Sequence, residues 1–86
     1  MNETFIRKND IGVDIEYHII AKVKDENRDY IIYTDLVNDE IDTYRLFVDM
    51  ITNDKYVPIS ETGKNMILNK FRNELSFYFN KLNGDD

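Results

Sequence analysis

Residues 15–35 read IEYHIIAKVKDENRDYIIYTD, and how this stretch divides decides the fold. Ile15, Tyr17, Ile19, Ala21 and Val23 alternate with Glu16, His18, Ile20, Lys22 and Lys24. That period of two marks a half-buried strand, because successive side chains leave opposite faces. The odd positions are expected to face inward. The polar group Asp25-Glu26-Asn27-Arg28 then makes a hairpin turn, and Tyr30 to Thr34 supplies a second short strand of β-branched and aromatic residues.

Working outward, Asp35 to Glu40 has hairpin-loop length. A third strand is predicted from about Ile41 to Met50, with Tyr44, Leu46, Val48 and Met50 alternating with Arg45, Phe47 and Asp49. Thr52-Asn53-Asp54-Lys55 is a further turn, and Tyr56-Val57-Pro58-Ile59 a fourth strand. Pro58 has no N–H to give a ladder, so this strand belongs at a sheet edge. Upstream, Phe5 and Ile6 form or extend an edge strand within a segment, 1–14, that reads as partly ordered.

After Ser60 the period changes. Ile67, Leu68, Phe71, Leu75, Tyr78, Phe79 and Leu82 recur in steps of three and four, which predicts an amphipathic helix from Thr62 to Asn83. Ser60 or Thr62 is its N-cap and Gly84 its stop, while Gly63 is a poor helix former near its start. Such a helix is roughly 30 Å long at 1.5 Å per residue, enough to cover one face of a sheet. Each large side chain buried there contributes roughly 1.5–3 kcal/mol. Phe71, Tyr78 and Phe79 are core in the plain reading and the lining of a partner groove in the sharper one. The fold expected is α+β: a four-stranded antiparallel meander with a C-terminal helix on one face, ββββα. Its single domain spans 15–83, with 84–86 as a tail.

Eighty-six residues suffice for one core. No cysteine is present, which excludes a disulfide framework, a thiolate metal site and a thiol nucleophile. No stretch approaches signal-peptide or membrane-span hydrophobicity, so a cytoplasmic protein away from membranes is expected. The net charge of −6 is unevenly placed: from Asp25 to Asp54 nine acids stand against Arg28 and Arg45, a net of −7, while Glu61 to Lys81 is net +2. An acidic middle repels a polyanion, so direct nucleic-acid binding is not expected and a basic protein surface is the easier partner. The chain itself is expected to be a monomer or a homodimer.

The order of YHIIAKVKDENRDYIIYTD, the strand TYRLFVDM, the tetrapeptide YVPI followed by Ser-Glu-Thr, and a closing amphipathic helix resembles the YrzB-like small acidic domains of low-GC Gram-positive bacteria. The resemblance covers about Ile15 to Leu82. It implies a cytoplasmic bacterial domain of similar β-then-α layout and carries over no site residues, since that family has no assigned function. Where those domains have an acidic helix surface, this chain opens its helix with Gly63 and Lys64 and exposes a basic face.

No catalytic constellation emerges. Asp35, Asp39, Glu40 and Asp42 crowd one connection, but without a central Gly or a terminal Glu they lack the pattern of a calcium loop, and they read first as a solvated hairpin end. His18 has no nucleophile placed near it by sequence, and Gly12, Gly63 and Gly84 are isolated, so neither a triad nor a phosphate cradle is predicted. No cofactor and no metal are expected. Ile20, Ile31, Tyr33 and Phe47 fall on the outer face if Tyr30, Ile32, Tyr44 and Leu46 face the helix. They are exposed there for a partner, or covered by the N-terminal segment or a second copy. The expected function is a non-catalytic protein-interaction module, with Tyr33 and Phe47 as anchors and Asp35, Asp39, Glu40 and Asp42 as a charged rim. The alternative is a nucleic-acid mimic that inhibits a nucleic-acid-binding protein.

Overall fold

The computed structural model describes residues 3–37 and 45–75. Five strands, β1 (Thr4–Lys8), β2 (Asp14–Asp25), β3 (Arg28–Thr34), β4 (Phe47–Thr52) and β5 (Lys55–Pro58), form one antiparallel sheet in chain order, followed by helix α1 (Glu61–Lys70). The α+β class is as expected, but the sheet has five strands rather than four. The added strand comes from the N-terminal segment, where Thr4 lies opposite His18 and Lys8 opposite Asp14. Five residues are too few to stand out by period, yet the alternation is there: Phe5 and Arg7 are half-buried while Thr4, Ile6 and Lys8 are exposed.

The pairing is staggered. β1 pairs with residues 14–18 of β2 and β3 with residues 18–25, so the two ladders share only His18. Between Ile19 and Ala21 the register shifts by one residue, a β-bulge at Ile20. A bulge sharpens the twist and turns the next residues over. Tyr17 and Ile19 therefore line one face, whereas Ile20, Ala21 and Val23 line the other. This corrects the expectation that all odd positions from Ile15 to Val23 share a face. The sheet curls until the Phe5 ring on β1 lies 5.2 Å from the Tyr56 ring on β5.

Both faces are consequently dry. On one, Ile20, Ala21, Ile32 and Val48 meet Ile67 and Leu75 from the helical segment, with Tyr30, Leu46, Leu68 and Phe71 packed around them. On the concave other, Ile19, Ile31 and Tyr33 are enclosed by Phe5, Tyr17, Phe47, Ile51 and Tyr56.

Two tight turns fix the register. Glu26 and Asn27 (φ 50° and 66°) and Asn53 and Asp54 (φ 51° and 64°) are left-handed pairs, the backbone that a two-residue hairpin needs to match strand twist. Between β1 and β2, Gly12 takes φ 83°, and the Asn9 side chain accepts from the Ile11 and Val13 amides (3.1 and 2.9 Å). The predicted third strand begins late: β4 starts at Phe47, and the earlier part, 41–44, lies outside the described residues.

Ser60 caps α1, its Oγ accepting from the Gly63 amide at 3.1 Å. A side chain at position 63 would bring its Cβ to 3.3 Å from that oxygen, which gives a reason for glycine inside a first helical turn. Residues 72–75 are helical again after Phe71 (φ −108°, ψ 21°), and Tyr78, Phe79, Leu82 and Gly84 lie outside the described residues. Lys70 pairs with Asp25, tying the end of α1 to the β2–β3 turn.

Candidate functional site

The concave face is built from rings that neighbouring strands place side by side. Phe5 stacks on Tyr17, its opposite in the β1–β2 ladder (5.4 Å), and Tyr33 stacks on Phe47, its opposite in the β3–β4 ladder (5.4 Å). Edge-on contacts of Tyr17 with Tyr33 (5.2 Å) and Phe47 (5.7 Å) join the two pairs. Geometries of this kind add to plain area burial because ring edges and faces carry opposite partial charge.

Into this apolar layer the sheet inserts one ion pair. Asp49 on β4 is 1% exposed. One of its oxygens takes a hydrogen bond from Arg7 Nη2 on β1 (2.8 Å) and the other from the Tyr33 hydroxyl on β3 (2.8 Å). Arg7 Nη1 closes the ring by donating to the same hydroxyl (3.0 Å). The guanidinium also lies over the Phe5 and Tyr33 rings. Burial above all, then the hydrogen bond to Asp49 and its charge, push the Tyr33 phenol well above its usual pKa, with Arg7 opposing in part. Burial works against the Arg7 charge, but Asp49 and Tyr33 outweigh it and raise its pKa. Both Asp49 oxygens and the Tyr33 hydroxyl are engaged within this ring, so the arrangement suits a clamp between distant strands rather than proton transfer.

Beside the clamp, at the end of the sheet where β1, β3 and β5 finish and β2 and β4 begin, lies an open cleft of about 400 Å³. Arg7, Asp10, Tyr17, Asp35, Arg45 and Phe47 are among its walls. The connection leaving β3 is fastened here. Thr34 Oγ1 accepts from the Leu36 amide, Asp35 Oδ1 from the Val37 amide, the Arg45 amide donates to Val37 O (3.0 Å), and Asp35 pairs with Arg45. Around the cleft this end of the sheet exposes Ile11 (82%), Val13 (49%), Leu36 (39%) and Val37 (48%).

The residues expected at a site are thus placed unevenly. Tyr33, read as an exposed anchor, is 4% exposed, because the N-terminal strand and the Arg7–Asp49 pair cover it. Phe47 is half-buried against Tyr33 with the Arg45 guanidinium over its ring (6.0 Å) and still borders the cleft. The Asp35 side chain is only 7% exposed in its pair with Arg45. Asp39, Glu40 and Asp42 lie outside the described residues. Ile20, read as outward, packs under the helix instead.

Sequence reasoning missed Arg7 and the burial of Asp49. The one available signal was an acid inside the apolar run LFVDMI, which a strand buried on both faces can hold only with a cation opposite.

Among the described residues no cluster of three candidate metal ligands occurs, and no helix is long and apolar enough to cross a membrane. No family model, no curated protein and no solved structure matches the chain.

Proposed function

We propose that this chain is a non-catalytic protein-interaction module of the bacterial cytoplasm that docks a basic protein surface at the cleft end of the sheet. One observation carries the reading. Ile11, Val13, Leu36 and Val37, all exposed, belong to the two connections at this end of the sheet, and the second of these connections carries the acid-rich sequence that follows Val37. Exposed apolar area beside charged residues gives a contact adhesion from the first and partner preference from the second. The anchors differ from those read off the sequence: Ile11, Leu36 and Val37 take the place of Tyr33, Phe47 remains at the cleft wall, and the charged role of Asp39, Glu40 and Asp42 rests on the sequence alone. Nucleic-acid mimicry gains no support, because Asp25, Asp29, Asp35 and Asp49 of the acidic segment are each paired with a cation of the chain itself.

Affinity capture from the source cytoplasm tests the proposal, with wild type beside a folded Ile11→Ser/Val37→Ser variant and an Asp39→Asn/Glu40→Gln/Asp42→Asn variant. A basic protein retained by wild type, lost with either variant and released at about 0.5 M salt, where charge is screened within a few ångströms, is the expected result. Retention indifferent to both variants refutes the docking surface.

A further inference from the structure

The two edges of the curled sheet are not alike. The Ile19 amide donates to Glu3 O (2.8 Å) and the Asn9 amide to Val13 O (2.9 Å), which sets the phase of the β1–β2 ladder. Odd-numbered residues of β1 bond to β2, and the N–H and C=O of Thr4, Ile6 and Lys8 point away from the sheet. On β5 the turn-closing pair Thr52–Lys55 sets the opposite edge. Its outward residues are Tyr56 and Pro58, and Pro58 has no N–H to offer. The β5 edge is therefore blunted by its own sequence. The β1 edge is not: Ile6 is 67% exposed, and Lys8, the one charge on the outward row, is already answered by Asp14 at 2.9 Å.

We propose that this edge pairs with a second copy of the chain, β1 against β1 about a two-fold axis through Ile6, joining two five-stranded sheets into one. The strand TFIRK is self-complementary in that register. Ile6 meets Ile6, Thr4 meets Lys8 of the second copy, and Phe5 meets Arg7, a ring and a guanidinium that already associate within one chain at 5.4 Å. No like charges oppose each other, and all three outward residues find backbone partners. A slip toward the C-terminus would set Arg7 against Arg7, and a slip the other way leaves Lys8 outside the strand pairing. Like charges directly opposite are penalised, so the Ile6-centred register is the favoured one. Because each copy carries −6, association must strengthen with added salt, the reverse of the salt response of docking to a basic protein.

Sedimentation velocity from about 1 µM to about 1 mM protein tests this, a range that spans the affinities a short strand pair supports. A monomer–dimer equilibrium is expected, tightening with salt and weakened about tenfold or more by Ile6→Lys, which sets two ammonium groups on the axis. Val57→Lys on the β5 edge leaves it unchanged. Oxidation of Ile6→Cys gives a covalent dimer faster than Ile11→Cys does, although Ile11 is the more exposed, since a pair exchanging both backbone bonds holds its Cα atoms about 5.5 Å apart, within disulfide reach. A monomer throughout, a dimer indifferent to Ile6→Lys, or one abolished by Val57→Lys overturns the proposal.

Discussion

Arg7→Met removes the cation from the clamp while keeping most of its aliphatic stem. Two hydrogen bonds go, 2.8 Å to Asp49 and 3.0 Å to Tyr33, and a carboxylate whose side chain is 2% exposed keeps only the Tyr33 hydroxyl. Stripping one partner from a buried pair costs about 3–5 kcal/mol, most of it the uncompensated charge left behind. The Arg7 side chain is 33% exposed, so water reaches its site and the lower end, about 3 kcal/mol, applies here. That is a large share of the roughly 5–15 kcal/mol that holds a domain folded, and at about 4–8 °C per kcal/mol for a chain this size it lowers Tm by about 12–24 °C. Urea denaturation followed by far-UV circular dichroism gives the free energy directly. The triple variant Arg7→Met/Tyr33→Phe/Asp49→Leu removes every member of the clamp together, and it is expected to recover most of the loss because no charge is stranded. A change below about 0.5 kcal/mol in Arg7→Met, the range of ordinary surface substitutions, would refute the burial of Asp49 beneath β1.

The raised Tyr33 pKa makes the fold sensitive to alkali. Below the ordinary phenol value of about 10 both states are protonated and stability is complete; above it the unfolded chain loses the proton while the native chain keeps it, and stability falls as pH climbs. Phenolate absorbance should show one tyrosine silent until unfolding, and Tyr33→Phe should remove that silent group. Replacing the left-handed Glu26-Asn27 pair by Asn-Gly relieves backbone strain and raises stability by about 1 kcal/mol, read as a higher urea midpoint; a lower midpoint contradicts the turn geometry. Ser60→Ala should cost about 1 kcal/mol and Ser60→Asp much less, since a carboxylate can replace the hydroxyl that accepts from the Gly63 amide; equal losses would place the cap elsewhere.

The strands that alternate cleanly, and the turns with two polar central residues, were legible because their signals are local. Tyr30–Thr34, the Asn53-Asp54 turn, the edge position of Pro58 and the cap at Ser60 all follow from near neighbours in the chain. The faces were not legible, for two physical reasons. Ile19-Ile20-Ala21 is a continuous apolar run, and nothing in it announces that one residue is surplus to the ladder; that surplus reverses every side chain upstream relative to those downstream. The sheet, moreover, buries both sides, so the rule that one face is polar and wet had nothing to act on. Alternation puts Tyr33 on the correct side of β3 but leaves open whether that side is exposed to a partner or covered by the N-terminal segment, and the structure has it covered. What covers it, Phe5 and Arg7, is a short strand more than twenty residues away, whose only local sign is a five-residue alternation.

The stagger of the ladders bears on how the molecule comes apart. Since β1 grips residues 14–18 of β2 while β3 grips 18–25, the first strand can peel away without breaking a hydrogen bond of the β2–β3 hairpin. Partial opening of this kind is a sub-global event with its own free energy. Here it would bare the Tyr17 and Tyr33 rings in one step, and amides of residues 13–19 that bond to β1 should exchange with solvent on that shorter timescale while the hairpin amides wait for whole-chain unfolding. The N-terminal strand is then the latch of the molecule, and the stickiest surface it owns lies directly behind it.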